Sequence, residues 1–254
     1  MIEHLIAPLV CERFLHDARY REGHLRIVNA LPQRKVMGLH APEMKQLAKQ
    51  LSCEGAAVIN SFEAIPSELL CYEECVIWGY LINLQKCSLD ERLAMLKRYV
   101  PVLDNWAVCD SYCAHAKWMA RADKERLWAF LQACFDSQRE FEVRFALVTA
   151  MCYFLHEDWL ERIFHRINKL NFAAIKSEYT SIKGKPEKAQ QGCVQGTEPY
   201  YVRMAVAWLL ATALAKFPDE TRSFVRSSNL PEDVLKLYVR KARESFRTRQ
   251  MDAF

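Results

Sequence analysis

Glycine is scarce in this chain, with seven residues in 254, and three of the seven (Gly184, Gly192, Gly196) fall in one short stretch. Soluble proteins ordinarily carry about 7% glycine. Hairpin turns and phosphate-cradling loops depend on it, because it alone adopts positive φ at no steric cost. Neither G-x-G-x-x-G nor G-x-x-x-x-G-K-[ST] occurs, so the two common nucleotide cradles are excluded and no nucleotide cofactor is expected. What remains favoured is helices joined by short connections.

Apolar spacing agrees, recurring at the helical period nearly throughout. It predicts helices over Ile2–His16, Arg21–Leu31, Pro42–Leu51, Ser67–Leu84, Ser88–Tyr99 and Pro101–Met119. Six more are predicted over Lys124–Phe135, Arg139–Leu155, Asp158–Leu170, Pro199–Phe217, Asp219–Ser227 and Pro231–Phe246. Ser88 and Glu91 have the spacing of a capping box, and Pro42, Pro101, Pro199 and Pro231 sit where a first-turn proline loses no hydrogen bond. β-branched residues are scattered, and no alternating strand stands out.

A repeat is visible. Val143-Arg144-Phe145-Ala146 and Val202-Arg203-Met204-Ala205 occupy the same place in two long apolar helices, with their arginines 59 positions apart. Setting aside the polar, glycine-bearing stretch 174–198 brings the spacing near that of a helix-pair repeat. The expectation is an all-α fold: an α-solenoid of HEAT-like antiparallel helix pairs with a concave face. It would form a single domain over residues 1–254, with 174–198 as an inserted loop.

The net charge of +4 is localised. From Lys236 onward six basic residues stand against two acidic ones, so residues 1–235 balance. A basic tail on a neutral body suits an anionic partner or a solvated helix face. Ten cysteines without a C-x-x-C knuckle or a secretory leader read as small hydrophobes of a reduced, cytoplasmic protein. Cys71 and Cys75, Cys109 and Cys113, and His115 share helix faces without zinc-like spacing, so no metal site is expected. The longest uncharged runs, Phe145–His156 and Met204–Ala215, fall short of the ~18 residues of a membrane span.

One segment does not read as core. In Asp104-Asn105-Trp106-Ala107-Val108-Cys109-Asp110, Trp106 and Asp110 stand four apart and share a helix face. Aspartate is rarely buried without a partner. Asp110 reads either as a surface functional carboxylate or as a salt-bridge partner for a residue such as Arg144. Asp104 reads as a first-turn acid.

Four stretches together resemble one family. They are Val36–Lys49 (VMGLHAPEMKQLAK), Asp104–Asp110 (DNWAVCD), Glu140–Ala146 (EFEVRFA) and Tyr200–Trp208 (YYVRMAVAW), followed by the tail Arg240–Arg247 (RKARESFR). In this order they resemble the bacterial DNA alkylation repair proteins of the AlkD type, HEAT-like-repeat alkylpurine DNA glycosylases. Residues 173–198 and the segment Asp17–Pro32 depart from the pattern, the latter resembling a divergent branch. The resemblance implies hydrolysis of the N-glycosidic bond of cationic N3- or N7-alkylated purines without base flipping. It implies Asp110, Trp106 and Trp208 as catalytic residues. Arg144 and Arg203, with Lys241, Arg243 and Arg247 of the tail, would hold DNA phosphates. The partner would be alkylated double-stranded DNA, bound by a monomer needing neither metal nor cofactor. The alternative is a non-catalytic HEAT-like solenoid that binds unusual DNA structures or a protein.

Overall fold

The computed structural model describes residues 2–181 and 199–254. Its helices in chain order are α1 (Glu3–Ile6), α2 (Glu12–His16), α3 (Ala18–Val28), α4 (Ala41–Leu51), α5 (Ala56–Glu63), α6 (Tyr72–Leu84) and α7 (Leu89–Tyr99). They continue as α8 (Trp106–His115), α9 (Lys124–Phe135), α10 (Glu140–Tyr153), α11 (Glu157–Asn168), α12 (Tyr200–Leu214), α13 (Pro218–Ser227) and α14 (Glu232–Glu244). The described residues contain no strand, only an isolated bridge between Arg139 and Lys176. The protein is all-α and built of packed helix pairs. It divides into two compact units, with the boundary between Leu127 and Trp128 inside α9.

In the first unit, α6 lies between α4 and α8 and is buried along nearly its whole length. That leaves no polar face, so its charged residues must be satisfied internally. Glu73 is fully buried, and its carboxylate accepts the backbone N–H groups of Met37, Gly38 and Leu39 at 2.7–3.3 Å. Burial nonetheless pushes its pKa upward. Gly38 has φ of +94°, and a Cβ there would lie 2.3 Å from the Phe14 ring. Glu74 closes a capping box on Cys71 and accepts the Ile2 N–H at 2.6 Å. The C-terminal carbonyls of α6 are met from the next helix. Buried Arg92 of α7 donates to Ile82 and Asn83 at 3.0 and 3.2 Å, and its guanidinium lies over Trp118.

In the second unit, α12 packs against α10, α13 and α14. Trp128 sits at the centre of an aromatic cluster with Phe135, Phe154 and Trp159, ring centroids 5.2–5.7 Å apart. Phe164 and Phe224 stack face to face at 4.3 Å between α11 and α13.

Several predicted elements need correction. Ile2–His16 is broken into α1, a 3-10 turn holding Pro8, and α2, because proline withholds a backbone donor. A helix at Ala56–Glu63 was not predicted, although it buries Val58, Ile59 and Phe62. The stretch Ser67–Leu84 opens on a 3-10 turn at Ser67–Leu69 and becomes α-helical at Tyr72, and Pro101–Met119 becomes α8 only at Trp106. Pro101 belongs to a 3-10 turn over Val100–Val102. The capping box at Ser88 and Glu91 is present. None of the described cysteines forms a disulfide, and Cys71, Cys75, Cys109, Cys113 and Cys134 are buried. Of the inserted stretch 174–198, residues 182–198 lie outside the described residues. Its beginning is packed: Ile175 and Tyr179 are buried, with Tyr179 against Phe141 and Tyr201. No helix of the described residues is long and apolar enough to cross a membrane.

Candidate functional site

The start of α8 is fastened by three consecutive side chains. Asp104 precedes the helix, so it is not the first-turn acid its position suggested. It is buried and pairs with Arg34, Oδ2 lying 2.8 Å from Nε and 2.7 Å from Nη2. Arg34 also donates to the carbonyls of Ser67 and Leu70. Burial works against the charge of Arg34, but Asp104, by its charge and its hydrogen bond, is among the groups that outweigh it and raise the pKa of the arginine. Asn105 is the N-cap, its Oδ1 accepting from Ala107 N at 2.8 Å. Its amide donates to the carbonyls of Val28 and Asn29 at 2.7 and 3.1 Å, capturing the C-terminus of α3 where Asn29 turns left-handed with φ of 50°. Trp106 then donates its indole N–H to the Ile27 carbonyl at 3.2 Å.

Beyond this anchor α8 divides cleanly. Ala107, Val108, Cys109, Tyr112 and Cys113 face inward. Trp106 and Asp110 are partly exposed and Ala114 is exposed, a stripe at i, i+4 and i+8. An indole and a carboxylate therefore stand on adjacent turns of one fixed, accessible helix face. Around the same α3 edge lies a cluster that sequence spacing did not signal. His40 Nε2 is 3.0 Å from the Tyr20 hydroxyl and 3.7 Å from Cys11 Sγ, and its ring lies against His24. Burial, with a smaller contribution from His40, lowers the pKa of His24. Among the described residues, Glu3, Cys71 and Glu74 form a group whose ligand atoms lie close enough to hold a metal, but Glu74 is already committed to backbone N–H groups.

The other six residues lie in the second unit. Arg144 is buried on α10 and donates to the Tyr201 carbonyl at 2.7 Å. Buried Glu140, one turn earlier, accepts the Tyr201 N–H at 2.7 Å. The two side chains thus clasp the backbone N–H and C=O of one residue, Tyr201, at the start of α12, where Pro199 offers no side-chain cap. Desolvation raises the pKa of Glu140, opposed by the Tyr201 N–H and the Arg144 charge. Arg203 is held too, at 3.0 Å from Asp233 of α14 and stacked over Phe172. Trp208 points outward from α12 and is 38% exposed. It lines a cleft of about 320 Å³ together with Ala211, Thr212, Lys241, Glu244 and Arg247. Lys241 bonds Glu244 at 2.7 Å. Arg243, exposed, lines a different cleft with Leu235, Val239 and Phe254. The structure therefore brings Trp208, Lys241 and Arg247 together, ties Arg144 and Arg203 into helix packing, and turns Arg243 elsewhere.

The family model described as DNA alkylation repair enzyme matches residues 15–172, about three-fifths of the chain. The matched span holds Trp106, Asp110 and Arg144 and ends before Trp208 and the basic tail. No curated protein and no solved structure matches the chain.

Proposed function

This chain belongs to the DNA alkylation repair enzyme family, and from that premise we propose that it is a DNA glycosylase that excises cationic N3- and N7-alkylated purines. The observation that carries the proposal is the accessible Trp106–Asp110 face of α8, inside the family-matched span and fastened by Asp104 and Asn105. An alkylated purine already bears positive charge, so its glycosidic bond breaks with the electron pair passing to the departing, neutralised base. What the protein must supply is negative charge where the sugar cation develops. Asp110 is the carboxylate for that position. It faces C1′, stabilises the oxocarbenium-like sugar and orients the water that adds there and loses a proton. Trp106 and Trp208 present indole faces, which favour a cation. In this reading lesion lability does much of the discrimination, and the base is not flipped into a pocket.

The phosphate contacts fall mainly to Lys241, Arg243 and Arg247, which stand at the surface. Buried Arg144 and half-buried Arg203 act chiefly by setting α12, which carries Trp208. The protein would act as a monomer on duplex DNA without a cofactor, so activity should persist in a chelator. The test is release of 7-methylguanine or 3-methyladenine from alkylated duplex DNA. Asp110→Asn should lower the single-turnover rate at least about 100-fold. Absence of release by the unaltered protein at large excess over substrate overturns the proposal. The balanced charge of residues 1–235 favours the second reading, DNA binding without chemistry. That reading requires duplex affinity with no release and no effect of Asp110→Asn.

A further inference from the structure

Phe246 is the most exposed large hydrophobic side chain among the described residues, at 81%. It follows the last turn of α14, and its exposure is not that of a fraying end. Thr248 is buried, and its hydroxyl donates to the Ala242 carbonyl at 2.7 Å. The N–H groups of Thr248 and Arg249 return to the Ser245 carbonyl at 3.1 and 2.9 Å. Farther on, buried Tyr238 of α14 donates to the Ala253 carbonyl at 2.8 Å. The chain from Ser245 to Ala253 is thus folded back on α14 and anchored on both sides of the turn that presents Phe246. The backbone thus fixes where this exposed aromatic ring stands at the surface.

The charges around the ring say what that partner is. The Arg249 guanidinium lies 4.7 Å from the Phe246 ring centroid. Arg247 borders the Trp208 cleft, and Arg243 stands exposed one turn back. No ion pair holds Arg243, Arg247 or Arg249 among the described residues, while Glu244 is already engaged by Arg240 and Lys241. An aromatic side chain among unneutralised guanidinium groups suits duplex DNA, where an apolar wedge enters a base step while arginines meet the flanking phosphates. We infer that Phe246 is a DNA contact: it stacks on a base or wedges into a base step, with Arg247 and Arg249 on the flanking phosphates. The inference rests on the reading that this protein binds DNA, but not on catalysis.

The experiment uses the full chain and a duplex carrying 2-aminopurine at stepped positions. Phe246→Ala should weaken binding about tenfold, leave the salt slope unchanged because no charge is lost, and abolish the 2-aminopurine signal at one step. Phe246→Trp should restore both. Arg249→Gln should instead lower the magnitude of the salt slope by about one. Base release with unchanged Phe246→Ala affinity overturns the inference and leaves the proposed function standing. A tenfold loss of affinity in a protein that releases no base upholds the inference and sinks the glycosylase. Unchanged DNA affinity with loss of self-association in Phe246→Ala makes the patch a protein contact and overturns it.

Discussion

Gly79 shows how tightly the residue scale is set in the first unit. It sits in mid-helix on α6, where glycine is ordinarily a loss. A Cβ there would meet the Tyr99 hydroxyl at 2.4 Å and its ring carbon at 2.9 Å. Tyr99 cannot swing away, being fully buried with its hydroxyl donating to the Cys75 carbonyl at 3.1 Å. Gly79→Ala should therefore destabilise the protein by about 1–3 kcal/mol despite the better helix propensity of alanine, measured as a lower denaturant midpoint. The Trp106–Asp110 face hangs on Asn105 in a similar way. Asn105→Ala removes the cap and orphans two carbonyls, at a cost of about 2 kcal/mol. If this anchor positions α8, glycosylase rate should fall even at temperatures where the fold remains intact by circular dichroism.

Elements here are capped largely by their neighbours. The C-terminus of α6 is met by Arg92 of α7, and the start of α12 by Glu140 and Arg144 of α10. Such exchange lets helices without local caps end inside a packed core, where unmet backbone groups are costly. The Glu140 clasp has a pH signature. Its pKa is raised in the fold, so its protonated form is favoured there. The corresponding stability is fully present below the ordinary value of 4.5 and is lost as pH rises through the raised pKa. Glu140→Gln keeps an acceptor for the Tyr201 N–H and abolishes the titration. The stability of the variant relative to the unaltered protein should rise with pH above 4.5, as followed by thermal melts across a pH series.

For the whole molecule the relevant quantity is the distribution of charge. Within the second unit two clefts differ in the balance of their charges. The groove over stacked Phe164 and Phe224 is rimmed by Glu157, Glu161, Asp219 and Glu220, whereas two cations, Lys241 and Arg247, outnumber Glu244 at the Trp208 cleft. A polyanion is repelled from the first and drawn to the second. With the net excess confined to residues 236–254, duplex binding should release few counterions. The triple change Lys241→Gln, Arg243→Gln, Arg247→Gln should reduce the salt slope of log affinity by about 2–3. A steep slope surviving in that variant would place the DNA-binding charge elsewhere.

The local features were legible because they depend on spacing along the chain. Helical periodicity marked most of the helices, the Ser88–Glu91 box set one start, and four-residue spacing put Trp106 and Asp110 on one face. Residues separated by many positions were not legible in this way. Asp104 looked like a helix-start acid until Arg34, 70 positions away, was found against it. Arg144 looked available to a phosphate, but the Tyr201 carbonyl 57 positions on engages it in the core. Phe246 looked like the apolar end of a helix, and Thr248 folding back onto Ala242 turned it into the most exposed ring of the described residues. The sequence by itself determined that the chain is helical and which side chains share each helix face, since backbone geometry acts over a few residues. Only the tertiary structure decided which charges are neutralised inside and which remain for a partner, because burial and pairing depend on groups that meet only when the helices pack.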